Sequence, residues 1–340
     1  MFANLSIPKF GRLNLLVGRN NTGKSSILEA VSLLATNASS RTLREILSRR
    51  EENLDRTLSG SSSPVFCLFR RGSPLNERFE LRDRDRFIEA RVALFRWTVE
   101  EDSPERRLEP LKEGDDPEGA EMRLELMSQK GRRSVRLDDR IFRSTILDRS
   151  SDPAEVRCVF VATGGLTRDE LASHWSGIAA TALEDRINRQ MHDCFPEIER
   201  ISVVVVGREP ATIAKVRGAE RSVALKSLGE GANRFFGLAM AAASASNGVL
   251  LIDEVEIGIH YSIQLELWRL LAQTAIEFNV QIFATTHSDD AVRAFGITAN
   301  EKVEVDGQVI RLLGRDGTVE AVDFDEDELA HAREAGMEVR

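Results

Sequence analysis

The run Gly18 to Ser26 (GRNNTGKSS) carries the most specific chemistry in the chain. It fits G-x-x-x-x-G-K-[ST] with Gly18, Gly23, Lys24 and Ser25 at the fixed positions. A triphosphate must lie against backbone N–H groups, and side chains at the two glycines would block that approach. A helix starting at Lys24 adds the partial positive charge of its N-terminus. Lys24 would set a point charge on the β and γ phosphates, and the Ser25 hydroxyl would complete the coordination of Mg²⁺. By composition the pattern arises by chance in about one in a hundred chains of this length, so it is read as a site. Gly18, Arg19, Asn20, Asn21, Thr22, Gly23, Lys24, Ser25 and Ser26 are expected to line bound ATP.

Three further constellations fit the same chemistry. GVLLIDE (Gly248 to Glu254) is an apolar run ending in two carboxylates. At the C-terminal edge of an open α/β sheet, where ligands bind, Asp253 would hold Mg²⁺ through water and Glu254 would polarise the attacking water as general base. ATTHS (Ala284 to Ser288) sets His287 at the end of an apolar run, 34 residues beyond Asp253. A lone histidine at a strand end is usually structural, but this position would aim His287 at the γ-phosphate. SLGEGANR (Ser227 to Arg234) reads locally as a glycine-containing helix start, with Gly229 lying 24 residues before Asp253.

Alternating strands and helices must position these groups. LNLLV (Leu13 to Val17) reads as a buried strand, and Ile27, Leu28, Val31, Leu34 and Ala35 recur at helical spacing over Lys24 to Thr36. The region from about Asn37 to Arg200 is rich in Arg and Glu. It holds Ser/Gly/Pro punctuation at GSSSP and an acidic loop at EGDDPEG, and alternating segments such as EMRLELMS suggest antiparallel strands. Thr167 to Cys194 reads as helical, without a sustained heptad. ISVVVV predicts a strand, TIAKV and RSVALKSL a hairpin, and Asn233 to Ser246 an Ala-rich helix. A helix over Tyr261 to Phe278 follows, then the buried strand VQIFATTH, and from Glu301 a small hairpin and an acidic short helix. The expected organisation is residues 1–36 and 201–300 as the two parts of an ATPase core, 37–200 as insertion and helical lobe, and 301–340 as a terminal hairpin and helix.

Order and spacing resemble the ABC-type ATPase heads: phosphate loop, long insertion, signature loop, Asp-Glu strand, switch histidine. Within that group the chain looks like the OLD-type (overcoming lysogenization defect) AAA-family ATP-binding proteins, on GRNNTGKSSILEAV, SLGEGANR, LLIDEVEIGIHYS and FATTHS. The resemblance implies an α/β P-loop NTPase fold, an ABC-ATPase-like head with a long α+β insertion between the phosphate loop and the signature loop. It makes His287 the switch histidine and SLGEG, with Gly229, Glu230 and Gly231, the signature loop acting in trans on ATP held by a second copy. It therefore implies a homodimer with ATP at the interface, and sets Glu256 and His260 where the family crosses that interface. Gly229 stands where ABC heads carry a serine, and no residue is assigned to the family's Q-loop glutamine. Full-length OLD nucleases add a Toprim domain. With 45 residues after Phe295, fewer than the roughly 50 of the smallest usual domains, none is expected in this chain. The output would then lie in a separate effector protein, in bacterial anti-phage defence as the resemblance implies.

Composition bounds the alternatives. The 340 residues are 42% hydrophobic and 30% charged, with net charge −9, which fits a soluble globular chain. No uncharged apolar run reaches the length of about 18 residues that spans a membrane, and no leader pattern opens the chain, so a cytoplasmic location is expected. Cys67, Cys158 and Cys194 lack metal-site spacing and read as free thiols. The net charge speaks against a globally basic nucleic-acid surface. The basic stretch Lys130 to Arg149 reads first as a solvated surface and second as a nucleic-acid contact. A RecF-like DNA-binding ATPase is thus the alternative. A transporter subunit is the weakest reading, because the insertion is long and carries strands.

Overall fold

The computed structural model describes residues 2–49, 68, 78–99, 106–111, 115–116, 118–136, 156–301, 304–315 and 318–324. Contacts divide the chain into two units, one over Glu29–Glu155 and one joining Phe2–Leu28 to Val156–Arg340.

The second unit is built on a six-stranded sheet. Strand β1 (Leu13–Gly18) is buried along its whole length, as a continuous apolar run flanked by parallel partners should be. Each fully buried leucine there contributes roughly 1.5–3 kcal/mol. The polar exception, Asn14, is satisfied: its amide donates to the carbonyls of Gly11 (2.9 Å) and Ile282 (3.0 Å) and its Oδ1 accepts from the Gly11 N–H. Beside β1 lies β12 (Gln281–Thr285), then β11 (Val249–Ile252) and β7 (Cys158–Val161), all parallel. On the other side β13 (Gly307–Arg315) runs parallel to β1 and β14 (Thr318–Phe324) closes the edge antiparallel. The C-terminal ends of β1, β12 and β11 are therefore neighbours, although 267 residues separate Gly18 from Thr285.

Helices α3 (Arg168–Ile178), α4 (Ala182–Cys194), α5 (Glu230–Ser244), α6 (Tyr261–Glu277) and α7 (Asp289–Glu301) belong to this unit. Every residue of α5 from Phe235 to Ser244 is buried, and its alanines allow close packing on all sides. Phe235 meets Phe195 edge-on at 5.8 Å between centroids. The helix expected over Thr167 to Cys194 is two helices. Thr167 and Glu170 form a capping box at the first, Thr181 caps the second, and Ala180 turns the chain at φ +60°. The hairpin expected from TIAKV and RSVALKSL is the outer part of a three-stranded antiparallel sheet. In it β8 (Ile198–Val206) pairs with β9 (Glu209–Val216), β9 pairs with β10 (Val223–Ala224), and a 3₁₀ turn spans Leu225–Leu228.

The first unit holds most of α1 (Lys24–Ala35), α2 (Ser40–Arg49) and an antiparallel sheet of β2 (Arg78–Arg82), β3 (Phe87–Val99), β5 (Glu121–Ser128) and β6 (Gly131–Arg136), with β4 (Arg106–Pro110) on β3. Leu43, Ile46 and Leu47 of α2 share a core with Ile88, Ala90 and Val92 of β3 and with Leu124 and Leu126 of β5. Alternation along these strands sends charge to the other face. There Glu125, almost wholly buried, accepts from both Arg91 and Arg132.

One expectation needs adjusting. Strand β7 and helices α3 and α4 fell inside the expected insertion and lie in the unit of the parallel sheet. The hairpin expected after Glu301 is β13 and β14, the latter including Asp323, while residues 325–340, where the acidic short helix was expected, are outside the described set, as is Cys67. Cys158 and Cys194 form no disulfide among the described residues, and burial, with Glu266 and Asp193 nearby, pushes the Cys194 thiol up to about 11. No helix among the described residues is long and apolar enough to cross a membrane.

Candidate active site

The phosphate loop follows β1 directly, and two glycines shape it. Gly18 has φ +144°, and a Cβ there would stand 2.7 Å from the Leu312 carbonyl oxygen. Gly23 has φ +92°, and a Cβ there would stand 2.4 Å from the Phe2 ring. Asn21 also turns the loop in the left-handed region, at φ +64°, a conformation asparagine tolerates better than most. The Thr22 hydroxyl donates to the Arg19 carbonyl at 2.9 Å. Arg19, Asn20 and Asn21 are exposed, and Ser26 is half-buried in the first turn of α1.

Lys24 is buried and folds back over this loop. Its Nζ donates to the carbonyls of Gly18 (2.8 Å) and Arg19 (3.0 Å) and lies 3.4 Å from His287 Nδ1. Burial pushes its ammonium below the usual lysine range, while Glu254, Asp253 and Glu256 oppose that shift. Nε2 of His287 is 3.6 Å from Glu254 Oε1. A lysine ammonium, an imidazole and a carboxylate thus stand in line across three strand ends. With the ammonium donating to Nδ1, the proton of a neutral ring sits on Nε2 and faces Glu254.

Ser25 and Asp253 form the second half. The Ser25 hydroxyl lies 3.1 Å from each carboxylate oxygen of Asp253. Thr285, fully buried, bridges the acidic pair: its hydroxyl donates to Asp253 Oδ1 at 2.7 Å and accepts the Glu254 N–H at 2.8 Å. Glu254 is left-handed at φ +50°, a conformation that costs a residue other than glycine about 1–2 kcal/mol. The Thr285 bond helps to hold it. Two hard oxygen donors side by side suit a divalent cation that keeps most of its shell as water and phosphate oxygen, as Mg²⁺ does. No group of three or more His, Cys, Asp or Glu that could cage a metal occurs among the described residues.

Gly18 to Ser26, Asp253, Glu254 and His287 therefore come together at one sheet edge. Gly229 to Gly231 pack elsewhere in the same unit. Gly229 precedes α5 at φ +116° without a side-chain cap. A Cβ at Gly231 would stand 3.2 Å from the Gly258 carbonyl oxygen, and one at Gly258 would stand 3.2 Å from Glu230 Cγ. The signature-like loop leans on the turn after Asp253 and Glu254. There the rings of His260 and Tyr261 lie 4.3 Å apart, tilted by 39°, and both are exposed. Glu256 turns inward instead. Its Oε1 accepts the His287 N–H at 2.7 Å, and its Oε2 is buried without a partner among the described residues.

Sequence reading gave Thr285 no role, and it set Glu256 at a dimer interface, whereas here its carboxylate accepts the His287 N–H. Thr285 stood in the quoted ATTHS, but nothing in the motif shows that its hydroxyl faces the neighbouring strand. Of the basic stretch, Arg132 is bound to Glu125 and Arg133 donates to the carbonyls of Asn37 and Ala38. Arg140, Arg143 and Arg149 lie outside the described residues.

The chain is similar to several known proteins. Residues 13–293 match the model of a family described as an AAA domain, whose description names the AbiEii toxin and a type IV TA system. An ATP/GTP phosphatase of Helicobacter pylori is 28% identical over 127 residues, or 35% of this chain and 32% of that protein, so the match spans about a third of its length. Among solved structures, an Smc head bound to the C-terminal winged-helix domain of ScpA is similar at 13% identity and TM-score 0.47, over 94% of this chain and 93% of that one. The SMC head domain of Thermotoga maritima is similar at 14% identity and TM-score 0.41, over 92% and 90%. The fold assignment rests on the strand order and the family match: the structure is an α/β P-loop NTPase, and the chain belongs to this AAA-domain family.

Proposed function

We propose that the chain binds ATP with Mg²⁺ on the Gly18–Ser26 loop and hydrolyses it, with Glu254 as general base and His287 as the residue that meets the γ-phosphate. The observation that carries this reading is the line Lys24–His287–Glu254 beside the Ser25–Asp253 pair. ATP would draw Lys24 off the Gly18 and Arg19 carbonyls and onto its phosphates, which frees His287 Nδ1. Glu254 would take the proton of a water attacking the γ-phosphorus, and the bond to the leaving ADP oxygen would break in line. Ser25 and Asp253 would hold Mg²⁺, whose charge favours the developing negative charge on the leaving oxygen. Arg19, Asn20, Asn21, Thr22, Gly23 and Ser26 would line the phosphates.

The same proposal extends to assembly. Gly229, Glu230 and Gly231 are exposed or half-buried at the start of α5 beside exposed Ile257 and Tyr261, which suits a second copy bringing its own ATP to this face. The homodimer would act as motor or sensor for a separate cytosolic effector. The OLD-type resemblance favours anti-phage defence. The RecF-like alternative loses support, because two described arginines of the basic stretch serve internal partners. The test measures ATP affinity, turnover and sedimentation for the unmodified chain and for Glu254→Gln. Binding without turnover, and an ATP-dependent dimer of Glu254→Gln, are expected. Equal turnover in both proteins removes Glu254 as the base, and a monomer at saturating ATP removes the dimer.

A further inference from the structure

Arg234 is a buried cation that the hydrolysis chemistry leaves without a task. It sits in the second turn of α5 and is 4% exposed. Its Nη1 donates to the Ala162 carbonyl at 2.8 Å, and its Nη2 lies 3.3 Å from the Asp253 carbonyl and 3.5 Å from that of Glu254. Ala162 follows the last residue of β7, and Asp253 follows the last residue of β11. The two strands pair in register, Ile252 against Val161. One guanidinium therefore spans the carbonyl ends of two adjacent parallel strands.

We propose that Arg234 is a positioning residue, which ties the helix carrying the Gly229–Gly231 loop to the backbone of Glu254 and so sets the direction of the general base. The inference rests on the reading of Glu254 as that base. Three features support it. Glu254 is left-handed, so its carbonyl needs partners that hold an unfavourable conformation. The loop beside the guanidinium is kept thin: a Cβ at Gly165, which has φ +83°, would stand 3.3 Å from Nη1. Arg234 also forms no ion pair among the described residues, despite Asp253, Glu230, Glu256 and Glu254 around it. It engages backbone carbonyls instead, where a rigid fork gives direction as well as charge. Nε is buried with no partner among the described residues, and Arg234 lines a cavity of about 170 Å³ with Thr163, Gly165, Leu171, Asn233 and Ile257. A shift of α5, as when a phosphate meets Gly229–Gly231, would reach the Glu254 carbonyl through this stiff link.

The test compares the full chain with Arg234→Ala and Arg234→Lys in ATP turnover, ATP affinity and amide exchange over residues 250–258. Expected for Arg234→Ala is a fall in kcat of about tenfold or more with ATP affinity within about threefold. Exchange should quicken in that segment alone, and guanidinium at low millimolar concentration should recover part of kcat by entering the vacated space. Arg234→Lys should stay impaired, since one ammonium cannot reach both strand ends. It carries the same comparison if the alanine variant fails to fold. Unchanged kcat overturns the proposal, as does unchanged exchange at 250–258, or a loss that comes with weakened ATP binding and quickened exchange throughout the unit. Failure of the parent reading looks different: Glu254→Gln keeps its turnover, whereas the exchange at 250–258 does not depend on hydrolysis.

Discussion

The two units treat buried acid in opposite ways. In the antiparallel sheet of the first unit, Glu125 is flanked by Arg91 and Arg132, so its charge is neutralised in place. In the parallel sheet of the second unit, Asp253 is held by two hydroxyls and Glu254 by the hydroxyl of Thr285 on its amide. Among the described residues, His287 is the basic side chain within 4 Å of the Glu254 carboxylate, at 3.6 Å. Neutral donors orient a carboxylate without cancelling its charge. An arginine pair leaves nothing for a metal or a proton to gain. Acids of the first kind stabilise structure, and acids of the second kind are available for chemistry.

The sharpest break of this contrast is Lys24→Ala, which removes the cation that phosphate would recruit. ATP hydrolysis should fall by more than about a hundredfold, read by phosphate release, with the melting temperature little changed. Glu254→Gln comes next: turnover should drop by about a hundredfold while calorimetric ATP affinity is kept. Thr285→Val tests whether neutral orientation matters. It leaves the Glu254 amide without its acceptor, so kcat should fall roughly tenfold and stability by about 1–3 kcal/mol in urea titration. Glu125→Gln should do the reverse. It weakens the first unit by about 1 kcal/mol, a modest figure because both arginines are half exposed, and leaves kcat within about twofold. The smallest effect concerns Glu184, whose carboxylate the Ala180 N–H and then Arg200 hold below the usual range, against burial. A lowered folded-state value gives stability that is present above the ordinary carboxylate range and is lost as pH falls through the folded value. Glu184→Gln should therefore be less stable than the unmodified chain near neutrality, and the gap should close in acid melts.

The phosphate loop was legible because its chemistry is local: one strand, one turn and one helix start supply every group. Asp253 and His287 were legible because a buried parallel strand leaves a continuous apolar run, and its end marks a sheet edge. Strand β7 escaped notice because four residues, Cys158 to Val161, are too short to show a period. The break at Ala180 was missed because the apolar spacing continues through Thr181 into the second helix.

The sequence by itself determined the class of fold, the loop that receives phosphate and the identity of the acids and histidine at the strand ends. Each of these depends on neighbours along the chain. Only the tertiary structure decided how those groups are held. Thr285 faces Asp253 because β12 lies beside β11, and Arg234 meets Glu254 because α5 packs under the ends of β7 and β11. Those contacts join residues 19 to 72 positions apart, and side-chain direction across a sheet is fixed by strand register and helix packing, which no local pattern of residues encodes.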